Sequence, residues 1–265
     1  MWIALTQSWS MLSATTGYVS LGHAVFFGLG SYALVLTIGV LPLPLALLVS
    51  AATAAGFALL AGLPVLRVKG PYFVILTFGI AELIKHVVMR IESSLGQFSR
   101  LVFDAPPVET LYLWMLGLAV LATLCAHRIR HSRFGRGLIA IREDEIAAET
   151  VGVPVTRLKL FAFVASAAIP GAVGGLVVLR TSYFEPSQAF DPLVSFSIVT
   201  MAIVGGSDDA RGPIFGAIGF VLLSELLWSR LPQLYMIILG LMLILFILFI
   251  PRGLAGLLDR RGPVL

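Results

Sequence analysis

The chain has 265 residues, of which 58% are hydrophobic and only 12% charged, with a mean hydropathy of +0.99. A soluble domain carries about a quarter charged residues, so a water-exposed surface could not be covered, and a soluble enzyme or a disordered regulator is excluded. One cysteine, Cys125, excludes a disulfide scaffold and a thiolate cluster.

What remains is a polytopic membrane protein. Long apolar blocks, rather than the alternation of barrel strands, make it an all-α helical bundle. The net charge of +4 would suggest nucleic acid in a soluble protein, but in a membrane protein the positions of the basic residues matter more than their sum. No nucleic-acid partner is expected. No Lys or Arg precedes Arg67, so the basic region of a cleaved signal peptide is missing.

About 20 apolar residues cross a bilayer core as a helix. The uninterrupted segments in chain order are Tyr18–Leu41, Leu43–Leu66, Pro71–Ile91, Leu111–Ala126, Phe161–Leu179, Pro213–Trp228 and Leu234–Ile250. Two weaker segments join them. Met1–Thr16 is short and rich in Ser, Thr and Gln, and Val194–Gly206 is too short to cross alone and reads as a broken or re-entrant helix. About eight transmembrane or partly spanning segments are predicted, in one transmembrane unit over residues 1–265.

The basic residues orient the bundle. With the C-terminal tail in the cytoplasm, alternation places 13 of the 18 Lys and Arg inside, including Arg67, Lys69, Arg211 and those of a long loop, 127–160. Residues 91–110, with Asp104, Glu109 and Pro106–Pro107, then read as an outer loop. Gly171 with Gly175, and Gly212 with Gly216, have the G-x-x-x-G spacing that lets membrane helices approach closely. Bundle packing is the first reading of each pair, and a subunit interface or pore wall the other.

Enzyme motifs are missing. The histidines His23, His86, His127 and His131 form no H-E-x-x-H pair, and no lysine follows a glycine as a phosphate-binding loop requires. No metal or cofactor site is expected in this chain. Any work that needs ATP falls to another chain. Glu82 lies near the middle of Pro71–Ile91, with Lys85 and His86 at i+3 and i+4 on the same helix face. It reads either as a locally paired group that orients its helix or as a group beside a polar path. Glu82, His86 and His23 are the candidates for a translocation path or a polar site in the bundle.

The loop 127–160 is the most informative stretch. Glu143, Asp144 and Glu145 place negative charge where a helix N-terminus favours it. Gly152 suits a left-handed residue after the last turn, and Pro154 stops continuation. A two-turn helix from about Asp144 to Val151 follows, with Ala147, Ala148 and Val151 as a small apolar patch flanked by charge. The patch reads as a solvated connector or as a docking knob for a soluble partner.

These residues resemble the coupling segment of ABC importer permeases. Ala147-Ala148-x-x-x-Gly152 matches the E-A-A-x-x-x-G core, with Ile146 at the glutamate's place and Glu145 one position earlier. Residues Ala140–Glu149 look like the LivM-type permeases of branched-chain amino-acid importers, as do Ser20–Gly28, Gly70–Phe73 with Ala81–Glu82, and Val204–Ser207 leading to Gly212–Pro213. Members of that family open with a further hydrophobic segment, whereas Met1 stands almost inside one, which points to a shortened or misassigned start.

The resemblance implies one permease subunit of an inner-membrane importer working by alternating access. It implies a related permease as heterodimer partner, two cytoplasmic ATPase subunits that bind ATP-Mg, and an extracytoplasmic solute-binding protein. Arg142, Glu143, Asp144, Glu145, Ala147, Ala148, Glu149 and Gly152 would form the ATPase-coupling element. The expected cargo is a branched-chain or similar amino acid, with urea, short amides or another small polar solute as the alternative. A channel or secondary transporter, or an intramembrane enzyme, are the readings from other classes.

Overall fold

A stripe of small residues runs the length of the helix at the centre of the protein, and it decides the packing. The computed structural model describes residues 1–96, 99–102, 106–206, 211–230 and 240–241. Its helices are α1 (Trp2–Thr16), α2 (His23–Thr37), α3 (Leu43–Val65), α4 (Pro71–Ser94), α5 (Val108–His131), α6 (Arg133–Glu143), α7 (Glu145–Thr150), α8 (Val155–Thr181), α9 (Pro186–Ala189), α10 (Pro192–Gly205) and α11 (Gly212–Arg230). Two short strands, β1 (Arg100–Leu101) and β2 (Tyr183–Phe184), pair antiparallel, a small addition to the all-α class.

Helix α8 is largely buried, and its Ser166, Ala167, Gly171, Gly174 and Gly175 are all inside. Helix α3 presents a matching stripe at four-residue spacing: Ser50, Ala54, Ala58 and Gly62. Small side chains bring backbones together where no hydrophobic force drives helices in lipid. Outward from this core, α3, α4 and α5 expose Leu60, Tyr72 and Leu113 among many apolar side chains, the surface that lipid tails or another subunit would cover. Among the described residues, six helical stretches are long and apolar enough to span a bilayer: α3, α4, α5, α8, Pro186–Gly205 and Gly212–Ser229. Together with the 15-residue α1 and α2 they account for eight segments. The expected segment Leu234–Ile250 lies outside the described residues except Gly240 and Leu241, which are helical.

The first two segments differ from expectation. Tyr18–Leu41 is not one helix, because α1 ends at Gly17 in a left-handed conformation (φ +76°) and the chain stays non-helical through Gly22 before α2 begins at His23. Helix α1, the weak candidate, is almost wholly buried. Its polarity has two uses. Ser8, Ser10, Thr15 and Thr16 donate to carbonyls one turn back in their own helix, so burial leaves no hydroxyl unpaired. Its Trp9 serves the non-helical stretch, Nε1 donating to the Ser20 carbonyl (2.9 Å), where Thr77 Oγ1 of α4 accepts from Leu21 N (3.1 Å) and, in the first turn of α2, Ser195 Oγ of α10 accepts from Ala24 N (2.8 Å). Irregular backbone inside a membrane protein persists only with such partners.

Elsewhere the boundaries move outward. The 127–160 region is not an open loop but the end of α5, all of α6 and α7, and the start of α8. Residues 91–110 are shortened as a connection, since α4 runs to Ser94 and α5 begins at Val108; Asp104 lies outside the described residues. The broken-helix reading near Val194 corresponds to α9 and α10, interrupted at Phe190–Asp191, where Asp191 caps α10 by accepting from Leu193 N (2.9 Å).

Candidate functional site

Helix α7 is made by local chemistry. The Asp144 carboxylate accepts from Ile146 N (2.9 Å) and Ala147 N (3.0 Å), capping the first turn. At the other end Val153 N donates to Ala148 O and Gly152 N to Glu149 O, with Gly152 at φ +88°. That pair of bonds around a left-handed glycine is a Schellman termination. Six residues so capped are still marginal as a free helix, and three anchors hold them in place.

The main anchor is Glu145. Its Oε1 lies 2.9 Å from Lys159 Nζ of α8 and 3.3 Å from Lys69 Nζ, which precedes α4. Its Oε2 accepts from the Tyr18 hydroxyl at 2.7 Å. Lys159, whose side chain is 4% exposed, also donates to Tyr18 Oη (3.1 Å) and to the Leu66 carbonyl (3.3 Å). Burial pushes the Glu145 carboxyl up, but hydrogen bonds from Lys159, Tyr18 and Lys69 outweigh it and hold the group below its ordinary value. The second anchor is Arg142, whose Nη1 donates to the Ala14 carbonyl at the end of α1 (2.9 Å). The junction of α6 and α7 is thereby tied to α1, to the start of α4 and to α8.

The third anchor corrects the expected docking patch. Ala148 is not on the outer face: it is 3% exposed and packs in one cluster with Leu138, Ile141, Val155 and Ala162. A two-turn helix lying on a bundle must turn one side inward, and the small Ala148 is the side that permits close approach. The exposed apolar residues are Ile146 (71%) and Val151 (79%), with Ala147 between them. Glu143, Asp144 and Glu149 are exposed around them. Of the expected coupling residues, Glu145 and Ala148 thus face the protein, and Ile146 is an outward residue that the motif alone did not single out.

The candidates within the bundle are dispersed. Glu82 lies 3.8 Å from Lys85 Nζ and 3.7 Å from His86 Nε2, all on α4, and His86 faces outward. His23 is fully buried at the start of α2 with its ring edge-on to Phe26, and neither ring nitrogen has a hydrogen-bond partner among the described residues. It therefore makes no hydrogen bond with Glu82 or His86.

The glycines sit at helix crossings. A Cβ on Gly30 would overlap the Gly171 backbone, one on Gly171 would lie 2.6 Å from Ala54 Cβ, and one on Gly175 would lie 2.8 Å from Leu34 Cδ1. Gly212 and Gly216 meet Gly205 where α10 and α11 cross.

Sequence reasoning missed Tyr18, Lys69 and Lys159 as partners of Glu145. It also missed a second polar cluster, in which Arg100 grips the buried Glu92 through two nitrogens (3.0 and 2.8 Å) and Tyr32 donates to the same carboxylate (2.7 Å). A carboxylate directly after the apolar segment Pro71–Ile91 was the one available signal, and its partners lie on other elements.

Known proteins resemble this chain in sequence over nearly its whole length. Residues 3–247 match the family described as branched-chain amino acid transport system, permease component. The chain is 30% identical over 291 aligned positions to the high-affinity branched-chain amino acid transport system permease protein LivM of Salmonella typhimurium, covering 96% of this chain and 67% of that protein. LivM of Escherichia coli is similar to the same extent. The probable branched-chain amino acid transport permease protein LivH of Methanocaldococcus jannaschii is 30% identical over 132 residues, 50% of this chain and 38% of the relative. No solved structure matches. With its membrane-length helices, the chain is a multi-pass membrane protein, and it belongs to the family of branched-chain amino-acid transport system permease components.

Proposed function

We infer that the chain is one permease subunit of an ATP-driven importer for branched-chain or similar amino acids, working by alternating access. It pairs with a related permease in a bacterial-type inner membrane. Two cytoplasmic ATPase subunits bind ATP-Mg and hydrolyse it, and an extracytoplasmic solute-binding protein delivers the cargo. The chain itself is a transport subunit rather than an enzyme, with its C-terminus in the cytoplasm.

The observation that carries this reading is the mounting of α7. An exposed apolar tip of Ile146, Ala147 and Val151 stands on a helix tied through Glu145 and Arg142 to three bundle elements. A connector has no need of such ties, whereas a lever has, because displacement of the tip then reaches α1, α4 and α8 as one body. The 13-to-5 distribution of Lys and Arg supports the cytoplasmic placement of that end. The substrate class is supported by the names of the two LivM relatives.

The test is co-expression with the candidate ATPases and partner permease, followed by co-purification and uptake of labelled leucine, valine and urea. Stable association and ATP-dependent amino-acid uptake are expected. ATP-independent uptake by the chain alone would overturn the reading.

A further inference from the structure

A cavity of about 630 Å³ opens between the 16–19 segment, the start of α4 and the junction of α6 with α7. That volume falls in the range of small-molecule sites, about 300–1,000 Å³. Its lining combines two cations, Lys69 and Arg142, one carboxylate, Glu145, and apolar surface from Val74 and Ile75. Helix α4 starts at its wall, with Gly70 at φ +63° and Pro71 as first helical residue. The positive end of a 24-residue helix therefore adds to the two cations.

The charges are mixed, and that selects the ligand. Inorganic phosphate or an anionic lipid headgroup would meet Lys69 and Arg142 but would also meet the Glu145 carboxylate, which repels it. A zwitterion uses both signs. Lys69 is 57% exposed in its side chain while paired to Glu145, so its ammonium can turn to a second acceptor. Among the described residues three donors reach Glu145, and a carboxylate offers about four lone-pair sites.

We propose that this cavity binds a free α-amino acid with a small apolar side chain, the cargo class itself, from the release side, and that occupancy slows uptake. The ligand's ammonium faces Glu145, its carboxylate faces Lys69 and the start of α4, and its side chain lies on Val74 and Ile75. Because Glu145 and Arg142 also mount α7, a bound ligand stiffens the joint through which the lever acts. Accumulated product thus restrains its own import. The inference rests on the importer reading above.

The test has two arms. In the first, full-length chain in lipid nanodiscs, without solute-binding protein, is dialysed against labelled L-leucine. Saturable binding is expected, with N-acetyl-leucine and leucinol, each lacking one charge, competing at least about tenfold less well. Lys69→Gln should weaken binding, and Ile75→Trp should remove it by filling the cavity. Equal competition by glycerol phosphate, or unchanged affinity in both variants, would overturn the proposal.

In the second arm, the complete transporter is reconstituted in vesicles preloaded with leucine. Wild-type uptake should slow at least about fivefold relative to empty vesicles, while in Ile75→Trp, whatever its basal rate, uptake into loaded and empty vesicles should be equal. If uptake into empty vesicles is normal and preloading has no effect, this proposal fails and the importer reading stands. If the ATPases do not associate at all, both fall together.

Discussion

Glu145 Oε1 stands 2.9 Å from the Nζ of Lys159, whose ammonium is buried in the second turn of α8. Two features make that cation dependent on its partner. It is out of water, and it lies near the positive end of its helix, where a negative charge is the favoured one. Glu145 supplies the missing countercharge from α7, so the same contact that stabilises the bundle also positions the candidate coupling helix.

Removing the two partners should therefore have unequal effects. Glu145→Gln leaves Lys159 charged and buried, and breaking a buried pair from one side costs on the order of 3–5 kcal/mol. Lys159→Met leaves Glu145 its bonds to Lys69 and Tyr18, so its cost should be smaller. Thermal unfolding of the purified variants in detergent measures the order. A Lys159→Met protein less stable than Glu145→Gln would contradict this account.

The same contact predicts a pH dependence. The Glu145 carboxyl is held below its ordinary value, so the folded chain releases this proton more readily than the unfolded chain does. Its stabilisation is complete above the unfolded value near about 4.3 and is lost as pH falls through the lower folded value. The difference in melting temperature between wild type and Glu145→Gln should be constant from pH 7 down to about 5 and shrink below that. A difference that grows with acidification would reverse the assigned sign.

How much of this was legible in the sequence depends on the range of the interaction. Helix α7 was legible because Asp144, Gly152 and Pro154 act within a few residues of themselves, and the capping bonds form where those residue types place them. The membrane class was legible because apolar content is a sum. The Tyr18–Glu145 bond joins residues 127 positions apart and depends on topology, so no local pattern announces it. The inward turn of Ala148 was hidden for another reason: a six-residue helix is too short for periodicity to say which side meets the bundle. The break between α1 and α2 was concealed because apolar runs record hydrophobicity, not continuity, although Gly17 marked the place.

The glycine crossings predict a contrast between chemically identical substitutions. Gly30→Ala drives a methyl group into the Gly171 backbone, which cannot yield without moving α2 from α8. Gly56→Ala on α3 meets nothing within 4 Å and should gain up to about 1 kcal/mol of helix propensity. Membrane-inserted, detergent-stable protein should fall sharply for Gly30→Ala and stay at or above wild type for Gly56→Ala. Equal yields from the two would mean that the α2–α8 contact is not close.

The last prediction separates docking from folding at α7. Ile146→Arg and Val151→Arg change side chains that are 71% and 79% exposed, and surface changes usually alter stability by no more than about 0.5 kcal/mol. Both variants should be abundant and inserted, yet fail to retain ATPase subunits and fail in uptake. Ala148→Arg should behave differently. Overpacking alone costs about 1–3 kcal/mol, and the new charge would sit beside Leu138 and Val155. This variant should lose abundance before its coupling can be measured. Gly152→Leu tests the mounting rather than the tip. No atom lies within 4 Å of where its Cβ would be, so its cost is that of the left-handed backbone alone, about 1–2 kcal/mol. Gly152→Asn, a residue that tolerates this conformation, should retain more uptake than Gly152→Leu. If Ile146→Arg and Val151→Arg both co-purify with the ATPases and transport like wild type, the outward face of α7 is not where the energy of ATP enters this protein.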